Sequence, residues 1–289
     1  MQSRDLILTA IAPIVWGSSY IVTTTFLPEH SPLTVALLRA LPAGLLLLVL
    51  VRQLPPLAWV PRLLVLGALN FSIFWVLLFT TAYRLPGGVG ATLGAVQPLV
   101  VVFLSALVLK TPVRGVQVMA AALSVAGVAL LVLTPAAKLD TLGVVAGLAG
   151  AVTMAGGGGV SRKREPPVSL LAYTAWELTA GGLLLLPVTI WALPEMPQFS
   201  GQNILGLAYM SLIGGALTYV LWFRGIARLE PASVSLLGVL SPLAAVILGW
   251  AFMGEVLSPK QALGAGLALF SLWLGQVSWR WRPRKLASA

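Results

Sequence analysis

Trp75-Val76-Leu77-Leu78-Phe79, followed by Arg84-Leu85-Pro86, returns 144 positions later as Tyr219-Val220-Leu221-Trp222-Phe223 and Arg228-Leu229-Glu230. The same shift carries Gly94, Gln97-Pro98 and Gln117 onto Gly238, Ser241-Pro242 and Gln261. A shift of 138 carries Gly44-Leu45-Leu46-Leu47-Leu48 onto Gly182-Leu183-Leu184-Leu185-Leu186. The chain therefore holds two copies of one folding unit. Embedded in lipid, such a duplication points to a transporter with its site at the seam between the copies.

Composition puts the chain in lipid. It is 58% hydrophobic and only 9% charged, with a mean hydropathy of +0.97, whereas soluble domains carry roughly 25% charged residues. The net charge of +10 would suit nucleic acid if the basic residues shared one face. They fall instead between apolar runs, so membrane lipid headgroups are the expected partners. With no cysteine, thiolate catalysis, disulfides and Cys-bound metal are excluded. The first apolar run reaches Phe26, too far for a signal-peptide core.

A span needs about 20 apolar residues to cross the hydrocarbon layer. Ten fit: 6–26, 32–51, 63–83, 87–109, 115–133, 142–161, 169–191, 204–223, 231–253 and 259–279. The expected fold is an all-α integral membrane protein without a soluble domain, made of a first five-helix repeat over 1–137 and a second over 138–289. With the N-terminus inside, 14 of the 18 Lys and Arg face the cytoplasm, as the positive-inside rule asks. Five is odd, so the second copy enters from the opposite side. The expectation is two inverted-topology repeats with both termini cytoplasmic.

Trp16-Gly17-Ser18-Ser19, Ala36-Leu37-Leu38-Arg39, Gln97-Pro98-Leu99, Ser241-Pro242-Leu243, and Gly254-Glu255 followed by Gln261-Ala262-Leu263-Gly264 resemble the motifs of the EamA family of the drug/metabolite transporter superfamily. The resemblance runs over nearly the whole chain. It implies a multi-pass protein of the bacterial cytoplasmic (inner) membrane that exports aromatic or neutral, including methionine-like, amino acids. One departure is Lys110-Thr111, where the first repeat often carries the acid that Glu255 supplies in the second.

Two ionisable side chains lie deep in spans, Arg39 and Glu177, and they are equivalents at the 138 shift. Intramembrane charges cost roughly 2.5–3.5 kcal/mol on insertion scales and face cavities or partners. Helical rise leaves an axial gap of roughly 8–10 Å between them, which permits a pair without requiring one. Arg39 is a candidate ligand for a carboxylate and Glu177 for an amine or proton; structural roles stand open for both. Phe71, Trp75, Phe79 and Tyr83 form a four-residue stripe on the third span, echoed by Tyr219, Trp222 and Phe223 on the eighth. Trp16 and Tyr20 share a face of the first span, and Trp176 adjoins Glu177. An aromatic wall suits an apolar or aromatic solute and offers cation–π contact to an ammonium; helix packing is the plain alternative. Gln97 and Ser241 are the candidate polar contacts. Pro98 and Pro242, each freeing a carbonyl, and Gly156-Gly157-Gly158-Gly159, low in helix propensity, are candidate hinges.

No Gly-Lys-Ser/Thr follows the glycine run, so ATP binding is not expected. The one histidine, His30, lies in a loop, which leaves no acid–base cluster for an enzyme. No cofactor or metal is expected. The reading is a secondary exporter of a small-molecule substrate working by alternating access. A multidrug or organic-cation exporter is the alternative, and the state is monomer or homodimer.

Overall fold

The computed structural model describes residues 2–97, 100, 103, 115–132, 139–161, 166–192, 198–229, 234 and 237–280. Pro98, the repeat border at 137/138 and the expected helix ends at 109, 133 and 231 lie outside the described residues.

Helix α1 (Gln2–Gly17) and α2 (Ser19–Phe26) form one bent unit, with a 41° break. Ser18 makes the break: its hydroxyl donates to the Val15 carbonyl at 2.7 Å, a local bond that competes with the helix ladder. Helix α3 (Pro32–Val51) starts where Ser31 accepts from the Leu33 amide and proline takes the first position, and it stops at Arg52 in the left-handed conformation. The expected span 63–83 is part of a longer rod, α4 (Leu57–Arg84), and 204–223 part of α9 (Gly201–Arg228); each has 28 residues. Both contain a π-helical segment, Ala68–Ile73 and Tyr209–Leu217, at positions overlapping under the 144 shift. Such wide turns are rare and concentrate at functional sites.

The remaining elements are α5 (Gly87–Leu93) with the 3₁₀ turn Gly94–Val96, α6 (Gly115–Val132), α7 (Thr141–Ser161), α8 (Leu170–Ala192), α10 (Leu240–Met253) and α11 (Pro259–Arg280). Pro242 falls in the first turn of α10 rather than mid-helix, where its missing N–H costs little. The Gly238 carbonyl accepts instead from Ser241, at 3.3 Å. Ser258 and Gln261 cap α11 reciprocally, the helix-end role its position implies.

Packing follows small residues. A Cβ at Gly44 would lie 2.7 Å from the Thr179 amide, and one at Gly182 2.7 Å from Leu41 Cα. These two contacts interchange under the 138 shift. Gly225 of α9 sits on Thr9 of α1, and Gly147 of α7 on Thr81 of α4, again interchanged by the two shifts. Gly127 lies against Gly264 and Ala268, so α6 and α11 meet within one protomer, leaving Gly115, Ala122 and Ala126 on an exposed face.

Every described regular element is helical. Pro32–Val51, Leu57–Arg84, Leu170–Ala192 and Gly201–Arg228 are long and apolar enough to cross a membrane, and the bent α1–α2 unit makes a fifth. Gly115–Leu130, Thr141–Gly157 and Leu240–Met253 are shorter apolar helices. Large apolar side chains cover the outside, with Val49, Val125 and Trp250 all 60% exposed or more. This is the surface of a multi-pass membrane protein.

Arg84 at the end of α4 pairs with Asp140 before α7, at 2.9 Å. The Gly143 amide, and then Arg84, hold the Asp140 carboxyl below its ordinary value. A lowered acid stabilises the fold above its unfolded-state value and loses that contribution as pH falls through the lowered one. Asp140→Asn is therefore expected to flatten the acid limb of a thermal-melting profile against pH; an unchanged profile would deny the pair a role.

Candidate functional site

The two π segments frame the site. Arg39 of α3 is 3% exposed. Its Nη1 donates to Ser19 Oγ at 3.0 Å and its Nη2 to the Gly214 carbonyl, inside the α9 π segment, at 3.3 Å. Its guanidinium carbon stands 4.5 Å from the Trp75 ring centre and 5.8 Å from that of Phe79. Nε has no partner. Every contact the charge makes is with a neutral group, whereas buried cations ordinarily take an anion. The described ion pairs are Arg84–Asp140, Arg224–Asp5 and Arg228–Asp5, so Arg39 and Glu177 do not pair with each other.

The aromatic wall forms, across three helices. Trp16 of α1 lies 5.6 Å from Tyr219 and 5.3 Å from Trp222, and its Nε1 donates to Thr218 at 2.9 Å. Tyr219 stands 6.0 Å from Phe71, edge on, and stacks on Phe223; Phe71 meets Trp75 edge on at 5.3 Å. The hydroxyls of Ser18 and Tyr209 share a 2.7 Å hydrogen bond at the α1 break. Tyr83 ends the stripe by donating to the Leu27 carbonyl at 2.6 Å.

Other expected residues lie elsewhere. Tyr20 turns to α5, against Gly87 and Gly90, beside a cleft that it lines with Met253 and Glu255. Glu255 caps α5, accepting from the Gly87 and Gly88 amides at 2.7 and 3.2 Å. Ser241 presents its carbonyl to Gly17. Gln97 is half-buried just past the 3₁₀ turn. Trp176 donates to the Gln53 carbonyl at 2.6 Å in a cluster with Trp59 and Tyr173. The glycines 156–159 lie inside unbroken α7, where a Cβ at Gly157 would overlap the Asn70 side chain.

Asn70 is the residue the sequence reading missed. It sits in the α4 π segment and donates from Nδ2 to Glu177 Oε2 at 3.0 Å; an amide inside an apolar span was the available signal. Asn70–Glu177 and Gly214–Arg39 are the same contact in the two copies, since 70 and 214 differ by 144 and 39 and 177 by 138.

The sequence profile of the EamA-like transporter family matches residues 4–133 and 141–275. Protein PecM of Dickeya dadantii (strain 3937) is 45% identical over 88% of this chain and 86% of its own length. The uncharacterized inner membrane transporter YedA of Escherichia coli (strain K12) is 28% identical over 90% and 87%. A solved crystal structure superposes on 97% of this chain and 99% of its own with a TM-score of 0.66 at 20% identity, which extends the fold likeness to full length.

Proposed function

The chain belongs to the EamA-like transporter family, and from that premise we propose that it exports aromatic or neutral amino acids, methionine included, or related small carboxylates, by alternating access. The observation that carries this reading is the buried Arg39 without an anion, set at the edge of the aromatic wall. A substrate carboxylate supplies the counter-charge to the guanidinium fork, and Trp16, Phe71, Trp75 and Tyr219 face its apolar side chain.

The transport geometry in this proposal is ten spans in two inverted five-helix repeats, with both termini cytoplasmic. Supporting it are the interchanged contacts Gly44–Thr179 and Gly182–Leu41, which a twofold axis in the membrane plane produces. Placement in the bacterial inner membrane draws support from the positive-inside charge bias and from the name of the relative YedA. The fork between α3 and α9 and the amide–carboxylate bond between α8 and α4 then join the halves at equivalent points, where rocking takes place. Pro242 and the glycine run remain proposed hinges, and the protomer a monomer or homodimer.

The test is counterflow of labelled L-phenylalanine and L-methionine in proteoliposomes, with binding followed by thermal shift. Trp75→Ala removes the ring under Arg39 and is expected to weaken phenylalanine more than alanine, by about 1–3 kcal/mol for a buried aromatic contact. Equal loss for both amino acids, or none, would take the wall out of recognition.

A further inference from the structure

The two copies share helix contacts such as Gly44–Thr179 and Gly182–Leu41 yet differ in the polar cluster around Glu177. Glu177 is 5% exposed; Oε2 accepts from Asn70, and Oε1 has no partner. Tyr173, one turn earlier on α8, and Arg62 of α4 are the polar neighbours of its carboxylate. Arg62 also donates to the Val160 carbonyl of α7 at 2.7 Å. At the equivalent positions the other copy has Arg39 for Glu177, Gly214 for Asn70, Val35 for Tyr173 and Gly206 for Arg62. Val35 and Gly206 are buried there, and Gly206 packs directly on Phe26. At its equivalent crossings the other copy holds the lone cation Arg39 and closes without an acid, an amide or a phenol, so packing does not account for the Glu177 cluster.

The other described carboxylates, Asp5, Glu29, Asp140 and Glu255, sit at helix ends or in loops. Glu177 alone among them lies within the helical core, where an unpaired carboxylate is costly and marks a functional group.

We propose that Glu177 is the proton-exchange site of the transport cycle. The inference rests on the transporter reading above and adds its energy coupling. In the ionised state Oε2 keeps the Asn70 bond and Oε1 stands bare. A proton taken at Oε1 neutralises the carboxyl and leaves that bond intact; its release restores the anion. Charged and titratable groups face it from the packed helices: Arg62 of α4, Tyr173 of α8 itself and Tyr219 of α9, while Arg39 of the adjoining α3 turns to Ser19 and the Gly214 carbonyl. Among the described residues of α7, the Val160 carbonyl meets Arg62 and Gly157 packs on Asn70. Tyr173 and Arg62 lead from Glu177 toward the α8 start, giving the proton a route to one membrane face. The first copy has no such route, so exchange is one-sided.

Glu177→Gln keeps the shape and the Asn70 bond and removes the titration. The full chain is reconstituted with L-phenylalanine and L-methionine as probes, reading counterflow at equal pH and accumulation driven by a pH gradient. The expected result is counterflow retained in Glu177→Gln with gradient-driven accumulation reduced to the counterflow level. Accumulation equal to wild type overturns the proposal, and loss of counterflow together with accumulation assigns Glu177 to substrate binding and overturns it too. Absence of counterflow in the wild type removes the amino-acid reading instead. The proton site is then decided without substrate, by infrared difference spectra of the purified protein over a pH titration. A protonated-carboxyl band that titrates in wild type and is missing in Glu177→Gln supports the site; no such band, or one that persists in the variant, overturns it.

Discussion

Arg39→Met is expected to abolish export of amino acids while leaving the protein as stable as wild type, or more so. The two effects separate because of what surrounds the guanidinium. Its contacts are Ser19, the Gly214 carbonyl and the faces of Trp75 and Phe79, with no carboxylate to compensate its desolvation. Replacing a buried ion by an apolar side chain of similar length is often neutral or stabilising. The Gly214 carbonyl keeps a donor, the Thr218 hydroxyl at 3.0 Å. A substrate carboxylate held by the fork loses about 2–5 kcal/mol when the cation is removed, a drop in affinity of about thirtyfold to several thousandfold. Arg39→Lys keeps the charge and loses the bidentate fork, so it falls between the two. The measurement is binding of phenylalanine and of phenethylamine, which lacks the carboxylate, with thermal unfolding of each variant. Arg39→Met should bring the two ligands to similar affinity. A variant that still prefers phenylalanine, or that melts early while transporting normally, would make Arg39 structural.

Gly182→Leu and Gly44→Leu are expected to cause the largest losses of stability. At Gly182 a new side chain meets Leu41 backbone at 2.7 Å, and at Gly44 it meets Thr179 backbone at 2.7 Å. A side chain can rotate away from an intruder, but a main chain can only move with its helix. Overpacking costs about 1–3 kcal/mol where side chains can adjust, and these sites belong at or above the top of that range. The α3–α8 crossing carries Arg39 and Glu177, so both should move and transport should fall with the melting temperature. Gly266→Leu is the control, because nothing lies within 4 Å of its Cβ position. Similar melting of all three variants in one detergent would show that the crossing tolerates separation.

Much of the fold was legible because membrane folding writes itself in simple periods. Apolar runs give the helices, and repeated motifs give two copies whose contacts interchange. The four-residue stripe on α4 did become a wall, since a helix puts such residues on one face. The π segments were not legible: a wide turn at Ala68–Ile73 changes which residues share a face, and no local pattern announces it. Pro242 illustrates another limit, because its effect depends on whether the helix has already begun, and here α10 starts at Leu240.

The candidate site divides the same way. Sequence alone established that Arg39 and Glu177 are the deep charges, that they are equivalents, and that aromatic residues gather on the third and eighth expected spans, which are α4 and α9. These follow from burial cost and periodicity, which act along the chain. Only the tertiary structure decided that the two charges do not pair, that Trp176 belongs with Trp59 and Tyr173, that Tyr20 looks toward α5, and that Asn70 completes the Glu177 site. Those outcomes depend on which helices cross and in what rotation, and crossing is fixed by contacts between residues far apart in the chain, such as Gly182 on Leu41 and, for the close approach of α7, Gly157 on Asn70.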